Sequence, residues 1–131
     1  MRRVMARAEV GDDVFGEDPT VNQLQEMSAD IIGKEAALFV PSGIMANQLS
    51  IRALTEPGDE VIMEAQAHIF HYEAGAGGAL AGVQFYCLEG KRGILEPAQV
   101  EGAIRTDEYY LPPTHLICLE NTHNRGGGAI Y

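Results

Sequence analysis

Three short stretches of the 131-residue sequence bring together residue types that do chemistry. The first is Pro41-Ser42-Gly43, between an apolar run, Ala36–Val40, and a helical pattern that opens at Ile44. A turn from strand to helix aims unpaired backbone N–H groups and the positive end of the helix dipole at whatever stands before it. Ser42 adds a hydroxyl there, and Gly43 lets a ligand come close to the backbone. Such a turn holds a phosphate without any Lys or Arg. The plainer reading is a Ser that caps the helix and a Gly that eases the turn.

The second stretch, Ala67-His68-Ile69-Phe70-His71-Tyr72-Glu73, follows the apolar run Glu60–Met63. Ligands of α/β sheets bind outside the carboxyl ends of the strands, so His68 stands where a ligand is met. Its flat ring suits stacking on an aromatic cofactor, and its pKa suits proton transfer near neutrality. A histidine that caps the next helix, or one satisfied in the core, explains the residue equally well. His71 and Tyr72 read as helix surface or subunit contact.

The third stretch, Glu120-Asn121-Thr122-His123-Asn124-Arg125, comes directly after the apolar run Leu116–Leu119. Asn121 and His123 gathered at a strand end make a polar pocket. The alternative is a solvated loop held by its own Asn and Thr hydrogen bonds. With Ser42, His68 and His123 at three such ends, one shared crevice explains more than three accidents.

The elements that must position these residues alternate along the chain. Met1–Val10 reads as the end of a helix, with Val4, Met5 and Ala8 on one side. Asp18 and Pro19 open a second helix as cap and first residue. Val21, Leu24, Met27, Ile31 and Ile32 carry its apolar face, and Gly33 stops it. Strands are expected at Ala36–Val40, Glu60–Met63, Val83–Leu88 and Leu116–Leu119. The first, second and fourth are apolar almost throughout, as in strands covered on both faces. Helices are expected over 44–54, about 70–80 and 97–104, with turns at Pro57-Gly58-Asp59 and at 89–93. The order predicts a layered α/β domain with a mostly parallel sheet and flanking helices.

Weaker signals have bland explanations. The acidic loop from Gly11 to Asp18 lacks the calcium-loop spacing, and capping accounts for its carboxylates, so no metal is expected. Gly75-Ala76-Gly77-Gly78 lacks a dinucleotide fingerprint and reads as close packing against another helix or subunit. Cys118, inside an apolar strand, is expected to be inert, and nothing beside Cys87 would activate a thiolate. Two distant cysteines give neither a disulfide framework nor a zinc site.

Composition bounds the class. With 9 Lys+Arg against 19 Asp+Glu, the net charge is -10, a poor surface for nucleic acid. No apolar run nears the roughly 20 residues of a membrane span, and no signal core follows Arg2-Arg3. A reduced, cytoplasmic setting is the expectation.

The segments Gly11–Thr20, Gly33–Gly43, Pro57–Val61, Ala67–Phe70 and Glu120–Asn124, in order and over nearly the whole chain, resemble the threonine aldolases. These are aminotransferase-like (fold type I) pyridoxal-phosphate enzymes. The resemblance implies the N-terminal portion, residues 1–131, of a truncated large cofactor domain. It implies a lyase that uses pyridoxal 5'-phosphate to split L-threonine or L-allo-threonine, its amino-acid substrate, into glycine and acetaldehyde. By the same resemblance Ser42, Gly43 and the N–H of Ile44 hold the cofactor phosphate, His68 stacks on its ring, and His123 stands near the substrate hydroxyl. A homo-oligomer, dimer or tetramer, is implied for the full-length form.

Two departures stand out. Ile44 occupies the place of the family's Thr, which removes one hydroxyl from the phosphate. The family's cofactor-bonded Lys, with its Asp and Arg partners, lies beyond Tyr131, and neither Lys34 nor Lys91 matches its position. The fragment alone is therefore expected to be inactive. The alternatives are a non-catalytic remnant that acts through subunit association and a related β-eliminating lyase.

Overall fold

The computed structural model describes residues 1–131, which form two compact units, Met1–Pro41 and Ser42–Tyr131. In the first unit the expected opening helix shrinks to one turn, α1 (Arg2–Met5), because Val4 and Met5 are exposed and give it no packing face. A 3₁₀ turn, Asp13–Phe15, is started by Asp12, whose side chain accepts the Val14 N–H. Helix α2 (Pro19–Ile32) runs as the sequence predicts, with Pro19 first and left-handed Gly33 closing it. Its cap is Asp18, which accepts N–H bonds from Thr20, Val21 and Gly11. The Val21 and Gly11 bonds chiefly hold the Asp18 carboxyl below the ordinary value.

Ala36–Val40 is not a strand, contrary to expectation. It is irregular, with Leu38 and Phe39 exposed, and its Phe39 N–H goes to the Gln25 side chain. Apolar residues supply the propensity, but a neighbouring ladder makes the strand, and none pairs with this segment.

The second unit holds α3 (Gly43–Leu54), β1 (Glu60–Glu64), α4 (His68–His71), β2 (Gln84–Leu88), α5 (Pro97–Ala103) and β3 (Thr114–Cys118). The three strands are parallel in the order β2-β1-β3. Central β1 is buried throughout, as its apolar run requires. Edge strand β3 starts and ends earlier than expected and alternates half-buried with exposed residues. Ile117 lies on its open face, because an edge strand with one uncovered side does not need two apolar faces.

Ile51 of α3 packs with Val61 and Met63 of β1, Ala67, Ala81 and Val83. Strand alternation leaves Glu60, Ile62 and Glu64 on the opposite face of β1. Glu60, fully buried, meets the Arg105 guanidinium at 3.0 Å, and Arg105 lies 4.4 Å above the Tyr86 ring. Nearby, Asp59 accepts from Glu56 N–H and from the His115 ring, and both bonds hold its carboxyl below the ordinary value. This cluster closes the amino ends of the strands.

The single helix expected over 70–80 is broken. α4 stops after His71, Ala74 and Gly75 take positive φ of 53° and 72°, and a π-type turn, Gly77–Ala81, follows. Glycine weakens a helix here, and Gly77 meets strand β2: a Cβ added to it would strike the Phe85 ring. The turn packs against helix α3, as the close helix contact expected of these glycines requires, and Gly77 also lets it meet strand β2. No helix is long and apolar enough to cross a membrane.

Candidate functional site

Parallel strands put the loops after β1, β2 and β3 along one edge, and the candidate histidines come from two of them. Helix α3 runs back against the sheet, so its first turn returns to that edge. Ser42 is extended, with φ -150° and ψ 153°, and its Oγ accepts the Met45 N–H at 3.1 Å. The capping reading of Ser42 is thus met. The N–H groups of Gly43 and Ile44 have no acceptor within the chain, and a Cβ added at Gly43 would touch nothing within 4 Å. Ser42, Gly43 and Ile44 are all exposed. Two free donors at the positive end of a 12-residue helix have the chemistry that suits an anion.

Five residues beyond Ser42, α3 turns Asn47 inward, about 7 Å along the axis. Asn47 Nδ2 and Gln48 Nε2 each donate at 2.6 Å to the carboxylate of Glu73. The same carboxylate accepts from His68 Nδ1 at 3.0 Å. His68 is the first residue of α4, and its backbone N–H donates to Glu120 Oε2 at 2.6 Å. Its ring stands 5.3 Å from that of Tyr72, and its side chain is 39% exposed. Nε2 of His68 has no partner, so it remains open to a ligand.

His123 is placed differently. It is fully buried, and both ring nitrogens are engaged. Nδ1 accepts the Gly126 N–H at 3.0 Å, which requires the proton to sit on Nε2, and Nε2 donates to Glu64 Oε2 at 3.1 Å. Glu64 also accepts the N–H groups of Gln66 and Gly90. Through this pair the ring ties together the loops after all three strands. Glu120 Oε1 accepts the Asn124 N–H, and its Oε2 lies 3.9 Å from His123 Nε2, so one carboxylate spans the two histidines.

His68 and His123 therefore share one rim. A hollow of about 250 Å³ is lined by His68, Asn47, Ile51, Leu116, Cys118 and Glu120 among others. Ser42, Gly43, Ile44 and His123 do not line it. The link between the helix start and His68 is α3 itself, through Asn47, Gln48 and Glu73. Burial pushes the Cys118 thiol up to about 11 and raises Cys87 as well, so neither offers a thiolate near neutrality. His71 Nε2 is taken by the Ala65 carbonyl.

No role for Glu73, Glu120, Glu64 or Asn47 is legible in the sequence. His68 lies five residues from Glu73, but the bonds that fix these carboxylates in the site also reach 26, 52 and 59 residues along the chain, which no local pattern marks.

Compared with known proteins, residues 1–131 match the family described as beta-eliminating lyase. The chain is 44% identical over 132 residues to low-specificity L-threonine aldolase 1 of Arabidopsis thaliana, covering 98% of this chain and 37% of that protein. It is 41% identical over 125 residues to low specificity L-threonine aldolase of Escherichia coli (strain K12), covering 95% and 38%. The fold matches the solved threonine aldolase of Leishmania major with a TM-score of 0.78 at 21% identity, over 95% of this chain and 36% of that one. The chain thus spans little more than a third of each of these proteins.

Proposed function

Because the chain belongs to the beta-eliminating lyase family, we propose that it forms the N-terminal part of a pyridoxal 5'-phosphate-dependent carbon–carbon lyase. Its substrates are L-threonine and L-allo-threonine, its products glycine and acetaldehyde. The observation that carries this is one hydrogen-bonded frame: the helix whose start bears the free N–H groups also holds, through Glu73, the half-exposed His68.

The residues present fit the cofactor. The N–H groups of Gly43 and Ile44 and the α3 dipole suit a phosphate, and the space before Gly43 lets it reach the backbone. Ser42 keeps the helix start rigid through its cap and offers its remaining lone pair and proton. His68 presents a ring at the strand end for an aromatic partner. When bound, the cofactor supplies an electron sink for the carbanion left as Cα–Cβ breaks.

His68 takes the proton of the substrate β-hydroxyl on Nε2, the nitrogen with no partner. That transfer lets the Cβ–O bond become a carbonyl while the Cα–Cβ electrons leave toward Cα. Glu120 keeps the His68 backbone in position. His123 supports the rim in its sealed state, and it reaches a substrate hydroxyl only if the Glu64 bond opens. A dimer or tetramer of the full-length protein, in the cytoplasm, belongs to the same proposal.

The test is product analysis on the full-length protein with pyridoxal 5'-phosphate and either threonine epimer. Equal release of glycine and acetaldehyde supports the lyase. Pyruvate and ammonia instead would reassign it to β-elimination. No turnover by either route, with the subunits still associated, leaves the non-catalytic reading.

A further inference from the structure

The Glu73 side chain is fully buried and its carboxylate is surrounded by donors alone: Asn47 Nδ2 at 2.6 Å and His68 Nδ1 at 3.0 Å on Oε1, and Gln48 Nε2 at 2.6 Å on Oε2. Both amides spend an N–H on it, so the carboxylate acts as an acceptor throughout and Nδ1 is its third donor. We infer that Glu73 is a positioning residue that keeps the His68 proton on Nδ1 and so leaves Nε2 as the acceptor facing the ligand side. Which ring nitrogen is protonated follows from the bond the other makes.

Two local costs support a role beyond packing. Gln48 Oε1 is a buried side-chain polar atom without a partner, left so by turning the Gln48 amide to donate to Glu73. An orphan of this kind is unfavourable, and the fold keeps it here. The next residue, Ala74, takes φ 53°, a left-handed conformation that L side chains resist. It follows directly on the inward-turned Glu73. Strained backbone and an unmet acceptor on either side of one carboxylate are what a site specified by function shows.

The groups around the imidazole complete the electrostatic picture. Glu73 meets Nδ1, Glu120 meets the backbone N–H, α3 offers only the neutral Asn47 and Gln48, and Tyr72 and His71 belong to the same turn. A carboxylate at Nδ1 fixes the donor there and leaves Nε2 with its lone pair, which is what abstraction of a hydroxyl proton needs.

The inference rests on the lyase reading for its purpose, but its test does not. Long-range ¹H–¹⁵N spectra of the labelled protein, without cofactor or substrate, report which nitrogen of His68 bears the proton, with His68→Gln assigning the signals. Wild type is expected to show the Nδ1–H form. Glu73→Leu, which takes the acceptor away, should move the proton toward Nε2, whereas Glu73→Gln, whose amide oxygen can still accept, should keep it on Nδ1. A wild-type Nε2–H form overturns the inference, whether or not the variants fold. So does an unchanged Nδ1–H form in a folded Glu73→Leu. A wild type that releases no glycine while showing Nδ1–H removes the lyase reading and leaves the Glu73–His68 assignment standing.

Discussion

Glu64, the last residue of β1, accepts the Nε2–H of His123 at 3.1 Å, in a spot from which solvent is excluded on both sides. The pair joins two strand ends 59 residues apart in sequence. Gly93 and Gly126 close over the ring, because a Cβ on either would collide with it or with the Arg92 carbonyl. His123 thus acts in this structure as the fastener of the rim.

Replacing that ring should cost stability first. His123→Leu removes a donor to a buried carboxylate and the acceptor for Gly126, and hydrogen bonds to charged groups are worth about 1.5–3 kcal/mol. Urea unfolding should show a loss of roughly 2–4 kcal/mol in total. An unaltered midpoint with lost turnover would move His123 from support to chemistry.

Two glycines on the same edge should respond in opposite ways. Gly93 has φ +84° and its Cβ would run into the His123 ring, so Gly93→Ala should unfold well below the wild-type temperature. Gly43 faces open space with no positive φ, so Gly43→Ala should melt unchanged or slightly higher. The same methyl crowds a phosphate at the helix start, and cofactor titration of the full-length protein should show weakened binding. Equal cofactor affinity in Gly43→Ala would argue against that site.

Ile44 stands 44% exposed beside the free N–H groups and offers them no help. Ile44→Thr adds a hydroxyl next to the expected phosphate. A hydrogen bond to a charged group of about 1.5–3 kcal/mol corresponds to roughly 10- to 150-fold tighter cofactor binding. Absorbance titration checks this, and no gain would place the phosphate elsewhere.

Acid should weaken the fold through Asp59 and Asp18. Both carboxyls sit below the ordinary 3.8, Asp59 because of the Glu56 N–H and His115, Asp18 because of the Val21 and Gly11 N–H groups. Between the lowered values and 3.8 the unfolded chain binds more protons than the folded one, so stability rises with pH across that window. As pH falls, the contribution begins to fade near 4 and is gone below the lowered pKa. Urea midpoints measured from pH 6 to pH 3 should drop less steeply in Asp59→Asn, which starts from a lower plateau. Parallel curves for variant and wild type would show that Asp59 does not carry the effect.

The residues themselves determined whatever rests on near neighbours. Asp18 and Pro19 open α2, Gly33 closes it, and Ser42 caps α3, each through bonds reaching three residues or so. A mostly parallel sheet, and His68 just beyond one of its strands, were readable from the alternation of apolar runs and helical patterns; the strand order β2-β1-β3 was not. Where the outcome depended on a distant partner, tertiary structure decided. Ala36–Val40 has the composition of a strand and no ladder to join, and the turn after His71 breaks because Gly77 must make room for Phe85. Glu73, Glu64 and Glu120 look like surface charges in the sequence. They become the holders of two histidines only once folding brings donors from 25 to 59 residues away to them and buries Glu73 and Glu64.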